Sequence, residues 1–207
     1  MTQNSPDNQN SGYTLADWQK HYAENDLRWD IETPSPPLIW LWEQKKLTPG
    51  RAVIPGCGRG HEVLYFAERG FDVTAVDFAP GAAAFLERAL QDKKNVSARV
   101  LQKDFFALGS EHDGYYDVMF EQTFFCAIHP SRRADYVNTV ARLLKSGGLL
   151  AALFYETGEA GGPPFSTTRQ DILDVFSMRF QIEFLEKTPH SIERRKDKEW
   201  LGLLRNR

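Results

Sequence analysis

The stretch Ala52-Val53-Ile54-Pro55-Gly56-Cys57-Gly58-Arg59-Gly60 decides how this chain folds. Its three leading apolar residues, two of them β-branched, form a short buried strand. The Pro-Gly run breaks that strand. Beyond it, Val63, Leu64, Phe66 and Ala67 recur at helical spacing until Gly70 supplies a stop. Strand, glycine turn and helix are the opening half of a βαβ unit, and glycines there let the backbone approach a ligand closely.

The same alternation continues towards the C-terminus. Val73 to Val76 is a second strand ending at Asp77, followed by a helix opening at Pro80 and carrying Ala84, Phe85, Ala89 and Leu90. A third strand, Ser97 to Leu101, ends at Asp104-Phe105-Phe106, and a fourth, Tyr116 to Phe120, ends at Glu121. A helix is predicted from Ser131 to Lys145, stopped by Gly147-Gly148, with Leu149 to Phe154 as a fifth strand. The loop Gly161-Gly162-Pro163-Pro164-Phe165 leads to a helix near Arg169 to Met178. Two further strands, Phe180 to Glu186 and Glu199 to Leu204, read as an antiparallel hairpin at one end of the sheet. The pattern specifies an open α/β sandwich with a mainly parallel sheet covered on both faces. In such sheets the ligand lies beyond the carboxyl ends of the strands, where Asp77, Asp104 and Glu121 fall.

Upstream, Tyr13 to Trp42 carries four of the five tryptophans in two short helices separated by an extended break, Thr33-Pro34-Ser35-Pro36-Pro37. These aromatics are either core anchors of an N-terminal helical layer or a lid over a planar or cationic ligand. Residues 1–12, a run of Asn, Gln, Ser, Asp and Pro, read as a disordered tail without a secretory signal. Residues 13–207 are expected to be one domain with an N-terminal helical lid over 13–46.

Composition narrows the function classes. The chain has 207 residues, 42% hydrophobic and 26% charged, so it can bury a substantial core. Twenty-five basic and 28 acidic residues leave a formal charge of −3, with no cationic surplus to hold a polyanion. Nucleic acid is not expected as a partner. Neither is a membrane, because no apolar run approaches the roughly 20 residues a spanning helix needs. Cys57 and Cys126 are the only cysteines, too few for a disulfide framework or a cysteine-built metal site, and they fit a reducing, cytoplasmic compartment. The sequence is silent on oligomeric state and compatible with a monomer.

The glycine loop departs from the dinucleotide pattern G-x-G-x-x-G: its third glycine comes one residue early, with His61 at the required place. That spacing favours a nucleoside ligand with no pyrophosphate to seat. Asp77, about 20 residues on, can accept from both ribose hydroxyls. Asp104 can accept from an adenine amino group while Phe105 packs on the base. A nucleotide-dependent oxidoreductase and a binding protein without catalysis remain alternatives on these residues alone.

Taken together, the run Val53 to Glu62, Val76-Asp77, Lys103-Asp104-Phe105-Phe106, Glu121 to Pro130 and the loop Gly161 to Phe165 resembles the thiopurine methyltransferase superfamily, and within it the plant-type thiol and halide methyltransferases. The resemblance runs from Trp18 to Trp200. It implies a Rossmann-like, seven-stranded class I methyltransferase sheet with an antiparallel last strand and S-adenosylmethionine as methyl donor. Carried over by position, it assigns Trp18, Tyr22 and Trp29 to a lid over the cofactor, Gly56 with Gly58 to its methionyl side, Asp77 to the ribose, Asp104 and Phe105 to the adenine, and Gln122 to a side-chain contact with the cofactor. No metal is implied.

Two departures bear on the acceptor. Phe165 stands where the plant relatives have Tyr, so a hydroxyl that could orient or deprotonate a thiol is missing, and their N-P-Y-S segment becomes Thr188-Pro189-His190-Ser191. Phe165 and His190 are therefore the acceptor-pocket candidates, with His190 as either a solvated loop residue or a replacement polar group. Arg194 and Arg195 either attract an anionic acceptor or form a solvated surface. The expected reaction is methyl transfer to a small soft nucleophile, a thiol first, with halide or thiocyanate next. An N-methyltransferase acting on a small heterocycle is the alternative.

Overall fold

The structure is a computed structural model that describes residues 12–207. The tail expected over residues 1–12 lies outside the described residues up to position 11. Helices α1 (Leu15–Glu24) and α2 (Pro36–Glu43) precede β1 (Arg51–Pro55). Then follow α3 (His61–Ala67), β2 (Asp72–Asp77), α4 (Pro80–Gln91), β3 (Ser97–Gln102), β4 (Tyr116–Gln122), α5 (Arg133–Leu143) and β5 (Leu144–Tyr155). The chain closes with α6 (Arg169–Phe176), β6 (Phe180–Lys187) and β7 (Glu199–Asn206).

The seven strands are ordered β3-β2-β1-β4-β5-β7-β6. Strands β1 to β5 pair in parallel, and β7 inserts antiparallel between β5 and β6. The order reverses between β1 and β4, which is the crevice where open α/β sheets bind ligands.

Period-two alternation divides the core between the two faces. Val53, Val76, Met119, Leu150 and Ala152 meet Tyr136, Val140 and Leu143 of α5 and Ile172 and Phe176 of α6. Their strand neighbours Ala52, Ile54, Val73, Ala75, Val118 and Phe120 meet Leu38 and Leu41 of α2, Val63 and Phe66 of α3, and Leu86 of α4. The N-terminal aromatics split accordingly. Trp40 and Trp42 pack on this second core, whereas Trp18 and Trp29 do not join either cluster.

Two sequence boundaries move. Gly147-Gly148 does not stop a helix. Helix α5 ends at Leu143, where the Asn206 side-chain amide donates to the carbonyls of Ala141, Leu144 and Lys145. The glycines instead sit in β5, where the register shifts between the Tyr116–Leu144 and Val118–Leu149 pairings, and Gly147 takes φ +75°. Pro36 and Pro37, expected in the extended break, form the first turn of α2, where a missing N–H costs nothing. Among the described residues no helix is long and apolar enough to cross a membrane.

Candidate active site

One cavity of about 450 Å³ opens over the carboxyl ends of the strands. Its wall follows the strand order: Lys103 to Phe106 after β3, Val76 to Ala79 at β2, Gly56 after β1, Thr123, Phe124 and Cys126 to His129 after β4, and Tyr155, Pro163 and Pro164 at and beyond the end of β5. Residues of α1, Trp29 and the β6–β7 connection cover it.

Asp77 is held by the backbone around it. Its Oδ2 accepts from the Gly58 N–H at 3.0 Å and its Oδ1 from the Ala79 N–H at 2.9 Å. Burial pushes its carboxyl above the usual carboxylate range, and these backbone donors oppose that shift. Each oxygen keeps acceptor capacity for a ligand hydroxyl. Gly58 thus serves the acid, while Gly56 is the loop glycine on the cavity wall. Gly56 has φ +55°, and a Cβ there would lie 2.4 Å from Phe124 Cδ2.

Asp104 caps the short turn 105–107, accepting from the Phe106 N–H at 3.0 Å. Phe105 is buried, with its ring edge-on to Phe124. Phe106, unassigned from sequence, is the more exposed ring on this wall, and the Arg132 guanidinium lies 3.9 Å over it. Gln122 lies off the main cavity, in a small adjoining recess with Gly58, Asp30 and His61.

The turn after β4 is organised by Glu121, which its place at a strand end groups with Asp77 and Asp104 at the expected ligand site but which is buried and lines neither the cavity nor the recess. Its fully buried carboxylate accepts from the Phe124 and Phe125 N–H groups at 2.9 and 2.7 Å and from the Tyr136 hydroxyl at 2.8 Å. Burial pushes its pKa up to about 7. A carboxyl that binds its proton more tightly folded than unfolded makes stability fall as pH rises, here between 4.5 and 7, by on the order of 3 kcal/mol. Glu121→Gln keeps an acceptor for the two N–H groups and removes the charge. Urea denaturation at pH 5 and pH 8 is expected to show that much of the wild-type loss disappearing in the variant; equal losses in both proteins would contradict the assignment. Cys126, in the same turn, donates to the Thr123 carbonyl at 3.4 Å, and burial pushes its thiol up to about 12. It is a packed thiol at neutral pH, not a nucleophile.

The aromatic cover is built by α1 and the turn after it. A capping box between Thr14 and Asp17 starts the helix, and Trp18 and Tyr22 project one turn apart. The ring of Trp29 meets both edge-on, with centroids at 5.1 and 6.0 Å. Tyr13 stacks on His21, which pairs with Asp26 at 3.2 Å. The cover is tied down from two sides. Arg195, buried and paired with Glu199, donates to the Trp29 carbonyl at 2.8 Å, while Asp30 pairs with His61 at 3.0 Å and with Arg59 at 3.4 Å. Arg194 and Arg195, for which the sequence allows either an anion site or a solvated surface, both line the cavity.

The two acceptor candidates end up elsewhere. His190 stacks on Trp40 with centroids 5.0 Å apart and lines neither the cavity nor the recess, because the β6–β7 connection folds onto α2 there and presents Arg194 and Arg195 instead. Phe165 is buried behind the wall. Its N–H donates to the Cys126 carbonyl at 2.6 Å, and Pro163 and Pro164 take the cavity side. Among the described residues no group of three or more His, Cys, Asp or Glu is placed to hold a metal ion.

The family model described as thiopurine S-methyltransferase matches residues 13–205. The chain is 31% identical over 188 residues to thiocyanate methyltransferase 1 of Arabidopsis thaliana, covering 89% of this chain and 82% of that protein. It is 27% identical over 184 residues to the thiopurine S-methyltransferase of Pseudomonas fluorescens, covering 82% and 84%. Among solved structures, the 1,6-didemethyltoxoflavin-N1-methyltransferase of Burkholderia thailandensis, with S-adenosylhomocysteine bound, superposes with a TM-score of 0.73 at 17% identity, covering 93% and 86%. At that identity the likeness is one of fold.

Proposed function

The chain belongs to the thiopurine S-methyltransferase family, and from that premise we propose that it transfers the methyl group of S-adenosylmethionine to a small sulfur nucleophile. The observation that carries the reading is the continuity of one cavity from Asp104 and Asp77, past Gly56, to the aromatic wall of Trp18, Tyr22 and Trp29. These residues fit the cofactor. Asp77 would receive the ribose hydroxyls, Asp104 and Phe105 the adenine, Gly56 the methionyl chain, and Gln122 would reach it from the adjoining recess. Aromatic faces attract a sulfonium by about 0.5–2 kcal/mol each.

When bound, the cofactor supplies a methyl group on a cationic sulfur. The protein has to orient the acceptor in line, exclude water and keep the nucleophile anionic. Water exclusion falls to α1 and Trp29, held shut by Arg195 and Asp30. Orientation falls to the wall after β4 and β5. No hydroxyl stands at Phe165, which suits acceptors that are already anions or thiols carrying a few per cent thiolate at neutral pH. Residues 13–207 act as one catalytic domain, in a reducing, cytoplasmic setting that suits two free, buried cysteines; of the lid expected over 13–46, α1 and the turn to Trp29 cover the cavity, whereas α2 packs against the core.

A panel of thiocyanate, hydrosulfide, small thiols and heterocyclic amines, scored by release of S-adenosylhomocysteine, tests the acceptor class. Turnover on the sulfur acceptors and none on the amines is expected. Turnover confined to amines would replace the reading with N-methylation.

A further inference from the structure

The acceptor end of the cavity is set by strand order. The adenosine part of the cofactor is assigned over β3 and β2, so the acceptor sits over β4 and β5, beside His129, Tyr155, Pro163, Pro164 and the pair Arg194 and Arg195. The two arginines are already engaged: Arg195 with the Trp29 carbonyl and Glu199, Arg194 with the Asp30 carbonyl at 3.3 Å. Tyr155 turns its ring towards the Arg195 guanidinium, 5.7 Å away.

His129 differs in having its protonation pattern set by the backbone. Its Nδ1 lies 3.2 Å from the Ser131 N–H and 2.7 Å from the Ser131 hydroxyl. A backbone N–H can only donate, so Nδ1 is the acceptor, and the neutral ring must carry its proton on Nε2. Nε2 has no hydrogen-bond partner among the described residues, and no carboxylate there pairs with the ring. The ring is held edge-on by Phe165, with centroids 5.3 Å apart, which gives that buried phenylalanine a supporting place behind the acceptor wall.

Resting on the methyl-transfer reading, we propose that His129 presents its Nε2–H to an anionic sulfur acceptor and so fixes the acceptor class, acting as a donor and not as a base. The neutral ring has no free nitrogen lone pair on the cavity side, because the only unprotonated nitrogen faces Ser131. A thiolate or thiocyanate suits such a site. A neutral amine, which must lose a proton, does not.

The test is calorimetric binding of thiocyanate to the protein saturated with S-adenosylhomocysteine, in the wild type, His129→Gln and His129→Leu. The Gln amide keeps an N–H donor and offers no base; Leu has neither. Leu is expected to weaken thiocyanate binding by about tenfold or more, the range of a hydrogen bond to a charged group, and Gln to retain most of the affinity. Affinity for S-adenosylhomocysteine should be the same in all three, which also reports correct folding. Wild-type-like binding by the Leu variant, equal loss in Gln and Leu, or no thiocyanate binding by a wild type that does bind S-adenosylhomocysteine would each overturn the proposal. Failure of the wild type to bind S-adenosylhomocysteine would instead sink the methyl-transfer reading beneath it.

Discussion

Asp77→Ala is expected to weaken S-adenosylhomocysteine binding by about a hundredfold or more, since two hydrogen bonds to a charged acceptor are lost together at about 1.5–3 kcal/mol each. The loss has a second source. Without the carboxylate, the N–H groups of Gly58 and Ala79 have no partner, and the glycine loop is no longer held against the end of β2. Asp77→Asn does not rescue this, because its amide nitrogen must face one of those two N–H groups, donor against donor. Titration calorimetry on both variants, with circular dichroism to establish folding, is the check. Unchanged affinity in Asp77→Ala would mean that the ribose is held elsewhere.

Gly56→Ala is expected to cost the protein both stability and cofactor. The residue's φ of +55° penalises any Cβ by roughly 1–2 kcal/mol, and the added methyl would meet Phe124 Cδ2 at 2.4 Å and its Cβ at 3.2 Å. Phe124 cannot retreat. Its N–H is held by Glu121, and its ring abuts Phe105. The ring must swing into the cavity, and a drop in cofactor affinity of tenfold or more follows, with a lower Tm. Gly147→Ala is the control: it has φ +75°, no atom within 4 Å of its added Cβ, and a position in the β5 bulge away from the cavity wall. It should show the backbone penalty and keep the affinity. If both variants bind as the wild type does, close approach at Gly56 is not part of the site.

Most of the fold was legible because the signals are local. Short apolar runs bounded by Gly, Pro and Asp mark the strands, and Pro80 and Gly70 mark a helix start and a stop at the expected places. Gly147-Gly148 misled because a glycine pair serves a helix end and a bulge equally well, and only the pairing with β4 decides between them. The wall proposed for the cofactor was legible for the same reason: Asp77 closes β2 and Asp104 stands two residues beyond β3, and both line the cavity. The acceptor end was not, because its geometry depends on contacts distant in sequence. Arg195 reaches the carbonyl of Trp29, 166 positions away, and the Phe165 segment is fixed by the Cys126 carbonyl. Nothing in the run Thr188 to Arg195 says that its histidine will stack on Trp40 while its arginines cover the cavity. A marker for Glu121 was available: an acidic residue directly after the apolar run Val118-Met119-Phe120 needs several donors when buried, and the turn that follows supplies two of them.

The measurement that bears most directly on the account is incubation of the protein with S-adenosylmethionine carrying a trideuterated methyl group and with thiocyanate, followed by mass spectrometry of both products. Trideuteromethyl thiocyanate and S-adenosylhomocysteine should accumulate in equal amounts, with both products lost in Asp77→Ala. Intact S-adenosylmethionine after incubation with thiocyanate, hydrosulfide and small thiols alike would contradict the account.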